Sequence, residues 1–199
     1  MIKKYGLLGT IKLIFSVVYT KLFFSNARLI RLPFDIRNKK FIKIGNQFTT
    51  GFGCRIEAFP IQNEKIPILT IGNNVEINDY VHISAVHSVS IGNNVLMASK
   101  IYISDCTHGS YSGNQLDSNP NMPPNERPLS YKKVEIKDNV WLGEFVTVLP
   151  GVSIGKGTIV GANSVVSKSL PDYVIAVGSP AKIIKRYNEN TQKWEKSNL

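Results

Sequence analysis

The chain has 199 residues, 43% apolar and 19% charged, which excludes a disordered protein and leaves room for one sizeable core. Its 24 Lys+Arg against 14 Asp+Glu give a formal charge of +10, a balance that suits phosphate-bearing partners. The basic residues are scattered in small clusters at 39–43, 132–137 and 182–186 without a recognition-helix or RNA-binding pattern, so nucleic acid is not an expected partner. Two cysteines, Cys54 and Cys106, are too few for a disulfide framework and fit a reducing, cytoplasmic compartment.

The first element in chain order is an apolar run from Ile11 to Phe24, 14 residues interrupted by Lys12 and Lys21. It is too short and too interrupted to span a bilayer, and no small-residue cleavage site follows it. Residues 1–40 are expected to be a helical or extended segment ahead of the β-helix, with a helix covering one end of the core. Shallow docking on a membrane surface is the alternative, placing the protein peripherally at the inner membrane face.

From residue 41 the pattern is hexads. Written from Ile136 the chain reads IKDNVW, LGEFVT, VLPGVS, IGKGTI, VGANSV, with an aliphatic residue opening every block. The same register holds in IGNQFT from Ile44, IGNNVE from Ile71 and IGNNVL from Ile91. A period of six fits neither a helix nor a long strand. It fits short strands, three per coil, each sending one aliphatic side chain into a prism-shaped core, with Gly or Asn turning the corners in left-handed conformations.

Coil starts fall at Ile44, Ile71, Ile91, Ile136 and Ile154, so about five coils are expected between residues 41 and 184. The spacings of 27, 20, 45 and 18 residues exceed a coil of 18 by 9, 2, 27 and 0, and each excess is a corner insertion. The largest makes an extended loop over about 109–133, just after His108 in SDCTH, and loops of that length in compact domains are usually functional. Residues 185–199 form a tail, expected to carry a short helix after the turn signal GSPAK.

The IGNNV coils, the loop beginning at a histidine, VWLGEFVTVLPGVSIGKGTIVGANSVV and GSPAKIIKRY together resemble the hexapeptide-repeat acyltransferases over roughly residues 41–187. Among them the chain looks most like the O-acetyltransferases of bacterial surface polysaccharides (capsule or O-antigen) and more distantly like the maltose/galactoside acetyltransferases. The resemblance implies an all-β, left-handed parallel β-helix, a homotrimer with sites in the clefts between subunits, and acetyl-CoA as acetyl donor without a metal.

Acetyl transfer from a thioester to a sugar hydroxyl needs a base for the hydroxyl proton. An imidazole suits that task at neutral pH, and by resemblance His108 is the general base. Asp105 or a backbone carbonyl could orient its ring. Cys106 stands where several polysaccharide relatives carry a second histidine, and a small buried thiol is its expected role rather than a nucleophile.

Trp141 resembles the tryptophan that walls the acceptor cleft, where an indole face stacks on a pyranose. By resemblance the cofactor arm passes Gly143 and Ala162, with Glu144 a departure from a small residue in the galactoside enzymes. Ser167 and Lys168 match a Thr-Lys pair near the cofactor, while Lys182 and Lys185 match basic residues that meet its phosphates. Asn78, Asp79 and His82, one coil before His108, and Arg55 and Glu57, one coil earlier still, are the acceptor-binding candidates.

The alternatives are a small-molecule sugar or xenobiotic acetyltransferase, a γ-carbonic anhydrase-like metal protein using His82 and His87, and a non-catalytic scaffold. The last two leave the conjunction of His108, Trp141 and a basic tail unexplained.

Overall fold

The computed structural model describes residues 2–61 and 66–197. Its body is a parallel β-helix of three walls. The first wall stacks Ile42–Ile44, Leu69–Ile71, Val89–Ile91, Val134–Ile136 and Ser153–Ile154. The second stacks Thr49–Thr50, Glu76–Ile77, Leu96–Met97, Trp141–Leu142, Ile159–Val160 and Val174–Val177. The third stacks Phe34–Arg37, Cys54–Ala58, His82–Ala85, Tyr102–Ser104, Thr147–Val148 and Val165–Val166.

The hexad openers line up in the registers Ile44–Ile71–Ile91–Ile136–Ile154 on the first wall and Ile77–Met97–Leu142–Val160 on the second. The third wall adds Ile56–Ile83–Ile103–Val148–Val166. These columns form the core, because alternate residues of a strand face opposite sides and one aliphatic position per strand points inward.

Corners explain the small residues. Between the first and second walls Asn74, Asn94 and Asn139 take left-handed angles, as the hexads lead one to expect. Between the second and third walls that place is held by Tyr80, Lys100 and Phe145 as well as by Gly53 and Asn163. Bulky residues tolerate the strain there because they cover one another. Lys100 Nζ lies 4.8 Å from the Phe145 ring centroid, and a Cβ on Gly53 would meet the Tyr80 ring at 2.7 Å.

Three expectations are corrected. Strand pairing already begins at Phe34–Arg37, inside the segment assigned to residues 1–40. In place of the short helix expected in the tail, Lys182–Asn188 and Lys193–Lys196 make an antiparallel hairpin continuing the second wall. KIIKRYN alternates exposed and half-buried residues with period two, the Tyr187 and Trp194 rings meet across the strands at 5.3 Å, and Asn188 Oδ1 accepts Asn190 and Thr191 N–H in the turn.

The third correction concerns the N-terminal helix, Ile2–Phe23, which spans more than the apolar run and is interrupted at Gly6. It buries Thr10, Ser16 and Thr20 and leaves most of its apolar side chains in solvent. The end of the core is plugged instead by Phe24, Ile30 and Phe48. Of the insertions, the nine-residue one after Ala58 lies partly outside the described residues.

Candidate active site

The 27-residue insertion leaves the third wall at Ser104 and is built rather than loose. Cys106–His108 pairs antiparallel with Leu129–Tyr131, giving the loop a two-stranded stem. Above it, Tyr111 Oη donates to the His108 carbonyl at 2.6 Å and accepts from Arg127 Nη1 at 2.7 Å. The same guanidinium donates to the carbonyls of Met122 and Pro120. His108 thus sits at a fixed place four residues beyond the wall, its ring exposed and without a hydrogen bond among the described residues.

Asp105 does not orient that ring. Its carboxylate is buried and accepts the backbone N–H groups of Val86, His87 and Ser88 at 2.6–2.9 Å. The carboxylate ties the corner where the loop departs to the coil before it, and its lone pairs are spent on the backbone.

Cys106 is half-buried, with its Sγ 3.6 Å from Ser104 Oγ. Burial raises its pKa, the Ser104 hydrogen bond pulls the other way, and the charges of Asp105 and Glu57 add to the rise. The thiol form is therefore favoured at neutral pH, which argues against a nucleophile. Cys54, fully buried, is pushed up by burial to about 11.

On the outer face of the third wall the structure brings together three of the five acceptor candidates. His82 Nε2 lies 2.9 Å from Glu57 Oε1, and its Nδ1 lies 3.1 Å from Arg55 Nη2. A guanidinium only donates, so Nδ1 accepts and the partners assign the ring proton to Nε2, which donates to Glu57. Arg37 Nη1 reaches Glu57 Oε2 at 3.2 Å, and Arg37 Nη2 reaches Asp35 at 2.7 Å. Hydrogen bonding to Asp35 is the first cause of the raised Arg37 pKa. Beside this network runs a cleft of about 400 Å³ lined by Phe34, Asp35, Arg55, Tyr80 and His82.

Sequence reasoning missed Asp35, Arg37, Tyr102, Ser84 and Ser104. Tyr102 stands next to His82 in the row Asp35–Arg55–His82–Tyr102–Thr147, with ring centroids 5.3 Å apart. Ser84 and Ser104 continue the row of Arg37 and Glu57. Adding the coil spacings of 27 and 20 to Arg55 and Glu57 would have found the members in later coils.

Asp79 is not in this group. Its Oδ1 accepts the Phe52 N–H at 2.7 Å and so holds the preceding corner. Its neighbour Asn78 is half-buried, and its carbonyl accepts the Cys54 thiol at 3.0 Å. The metal alternative also loses its ligands: His82 has both nitrogens engaged, and the His87 ring stacks on Tyr131 at 4.9 Å.

Trp141 lies on a different wall. It is exposed on the second wall in the row Leu96–Trp141–Ile159–Ile175–Lys185. Lys185 is three strands from Trp141, about 14 Å at the usual strand spacing, and Lys182 is exposed on the same hairpin. Gly143 is buried at the corner after Trp141, where a Cβ would sit 2.7 Å from the Ala162 backbone nitrogen, so coil stacking alone demands a small residue. Glu144 and Ala162 are exposed at this corner, whereas Ser167 and Lys168 are exposed at the other edge of the third wall.

The repeats and the chain as a whole match known proteins. Residues 133–168 match the family model described as bacterial transferase hexapeptide (six repeats). WbbJ of Escherichia coli K12, named as a proposed lipopolysaccharide biosynthesis O-acetyl transferase, is 48% identical over 195 residues, 98% of this chain and 97% of that protein. The galactoside O-acetyltransferase of the same organism is 33% identical over 124 residues, 62% of this chain and 57% of its own. Among solved structures, a substituted form of AntD, an N-acyltransferase from Bacillus cereus in complex with dTDP-4-amino-4,6-dideoxyglucose and coenzyme A, superposes with a TM-score of 0.67 at 28% identity over 83% of both chains. With hexads stacked in three walls and a likeness that runs nearly the full length, the chain belongs to the hexapeptide-repeat acyltransferase family.

Proposed function

We propose that the protein is an O-acetyltransferase that moves an acetyl group from acetyl-CoA to a sugar hydroxyl of a surface-polysaccharide unit, with His108 as general base. The observation that carries the reading is His108 itself, an imidazole without a side-chain partner among the described residues, on a stem braced by Tyr111 and Arg127. The hydroxyl attacks the thioester carbonyl as the His108 ring takes its proton, and the tetrahedral adduct collapses with cleavage of the C–S bond while the imidazolium returns that proton to the departing CoA sulfur. Such a base contributes about a hundred- to ten-thousand-fold. Similarity to WbbJ over 98% of the chain supports the acceptor class. Coenzyme A and a nucleotide sugar in the AntD complex support the pairing of donor and acceptor.

In this reading the β-helix is left-handed, as resemblance to the family implies, and the active form is trimeric, because Trp141 and the Arg55–His82–Tyr102 row occupy different walls of one chain. They line one cleft when contributed by neighbouring subunits, and the apolar row Leu96–Trp141–Ile159 suits such a contact. Arg55, Glu57, His82 and Asn78 line the acceptor side. Gly143, Glu144, Ala162, Ser167 and Lys168 flank the cofactor arm, and Lys182 and Lys185 meet its phosphates. The enzyme works in the cytoplasm at the inner membrane face, where lipid-linked glycans are assembled.

The test is transfer of isotopically labelled acetyl from acetyl-CoA to a panel of lipid-linked and free sugars, read by mass spectrometry. Labelling of a lipid-linked glycan supports the proposal. Faster labelling of free sugars would replace it with a small-molecule acetyltransferase.

A further inference from the structure

The helix Ile2–Phe23 is apolar on most of its faces, and its hydroxyl side chains are the ones turned toward the protein body. Toward the protein body it presents hydroxyls: Ser16 Oγ accepts the Leu32 N–H at 3.1 Å and Thr20 Oγ1 accepts the Ile30 N–H at 2.8 Å. Toward solvent it presents Leu8, Phe15 and Leu22, which are 76%, 65% and 71% exposed, with Leu7, Ile11 and Val18 on the same side. A helix packed on a water-soluble protein ordinarily does the reverse.

Charge surrounds the stripe on one sign only. At about 100° per residue, Lys12 and Lys21 fall roughly 80–100° to either side of its centre. Residues 2–34 carry six basic side chains and no acidic one. Apolar side chains bordered by lysines complement an anionic lipid surface, the hydrocarbon entering the acyl boundary while the ammonium groups extend to the headgroups.

We propose that the outward face of this helix lies flat on an anionic membrane surface and docks the enzyme there. At 22 residues the helix is long enough to cross a bilayer. Crossing, however, would pull Ser16 and Thr20 off the backbone of residues 30–32 and carry two lysines into hydrocarbon. A second copy laid on the same stripe would bring two lysine borders face to face. The inference goes beyond the acetyl-transfer reading and does not depend on it.

The experiment is flotation of the full chain with vesicles of phosphatidylcholine alone or mixed with phosphatidylglycerol. The wild type should float only with the anionic vesicles and be released by salt. L8Q/F15Q/L22Q, which alters exposed positions only, should bind on the order of a hundredfold more weakly. K12Q/K21Q should lose about fivefold per lysine at low salt. Absence of flotation by the wild type overturns the proposal, as does unchanged flotation of both variants. Resistance of the wild type to both salt and alkaline carbonate would mean a spanning helix, and a smaller oligomer for the triple variant in light scattering would mean the stripe belongs to a second copy. Each overturns the proposal. Unaltered thermal melts and acetyl-CoA turnover in the variants keep the result separate from the assignment of the reaction.

Discussion

Glu57 and His82, carried by successive coils, meet at 2.9 Å, and the second imidazole nitrogen is held by Arg55. An imidazole engaged at both nitrogens is a poor choice for taking a substrate proton and a good one for a rigid binding surface. His108, whose ring is unengaged among the described residues, is the converse.

Glu57 is the centre of that surface, because Arg37, Arg55 and His82 all converge on it. Glu57→Ala should cost about 1–3 kcal/mol of stability, discounted for the exposed arginines, and lower Tm by about 2–12 °C. It should raise KM for the sugar more than KM for acetyl-CoA. A melt and a pair of saturation curves check both, and an unmoved sugar KM would remove this row from the acceptor site.

His108→Ala should lower kcat by about a hundred- to ten-thousand-fold while leaving acetyl-CoA affinity and Tm near wild type. The ring supports nothing structural among the described residues. Steady-state kinetics with calorimetric titration of acetyl-CoA decide it, and retention of more than about a tenth of the activity excludes the general-base role.

Asp105→Asn should act on the fold rather than on the chemistry. The amide keeps one acceptor oxygen and puts an NH2 donor in place of the other. At least one of the three backbone N–H groups therefore loses its acceptor and faces a donor, at a cost of about 2–4 kcal/mol and a Tm lower by about 4–16 °C. Per folded molecule, the pH profile of kcat should be unchanged. A displaced profile would restore a role in orienting His108.

Cys54 makes stability sensitive to alkali. Its folded pKa of about 11 exceeds the ordinary 9.0, so the unfolded thiol ionises first. The contribution is complete below pH 9 and is lost as pH rises toward 11, by about 1.4 kcal/mol per pH unit at most. Cys54→Ala should show a shallower decline in that window. Urea unfolding of both proteins across it measures the difference, and parallel curves refute the assignment.

Lys182→Ala with Lys185→Ala should raise KM for acetyl-CoA and barely move KM for the sugar. Both lysines lie on the terminal hairpin of the second wall, away from the Arg55–His82 row. A charge-assisted contact is worth about 1.5–3 kcal/mol, less where salt and solvent screen it. Added salt should weaken acetyl-CoA binding less in the double variant than in the wild type. Loss of the sugar with normal acetyl-CoA binding would move the cluster to another partner.

The coil phase was legible because each aliphatic opener faces the axis and its period survives every insertion, so Ile44, Ile71, Ile91 and Ile136 fall in register despite gaps of 27, 20 and 45 residues. What that register placed outside the core was harder to see. Asp79 and Asp105 look like chemistry in a sequence, but a carboxylate at a tight corner is claimed first by the backbone N–H groups around it. Tyr102 was hidden because only coil arithmetic, not local sequence, sets it beside His82. The hairpin at 182–196 was masked by three charged residues in KIIKRY, whose period-two pattern is short, and by a turn that depends on the Asn188 side chain.

The corners between the first and second walls carry a direction. Asn46 N–H is accepted by the side chain of Asn73, Asn73 N–H by that of Asn93, and Asn93 N–H by that of Asp138. Lys156 N–H is accepted in turn by Asp172. Four of the five corners are therefore completed by a residue of the following coil, while the corner at Asp138 faces Lys156, which cannot accept. On a ribosome, each of those four corners emerges unfinished, waiting for roughly one more coil of translation. For Asn93 that wait is longest: 45 residues, the whole loop that carries His108 included, must appear before Asp138 closes it.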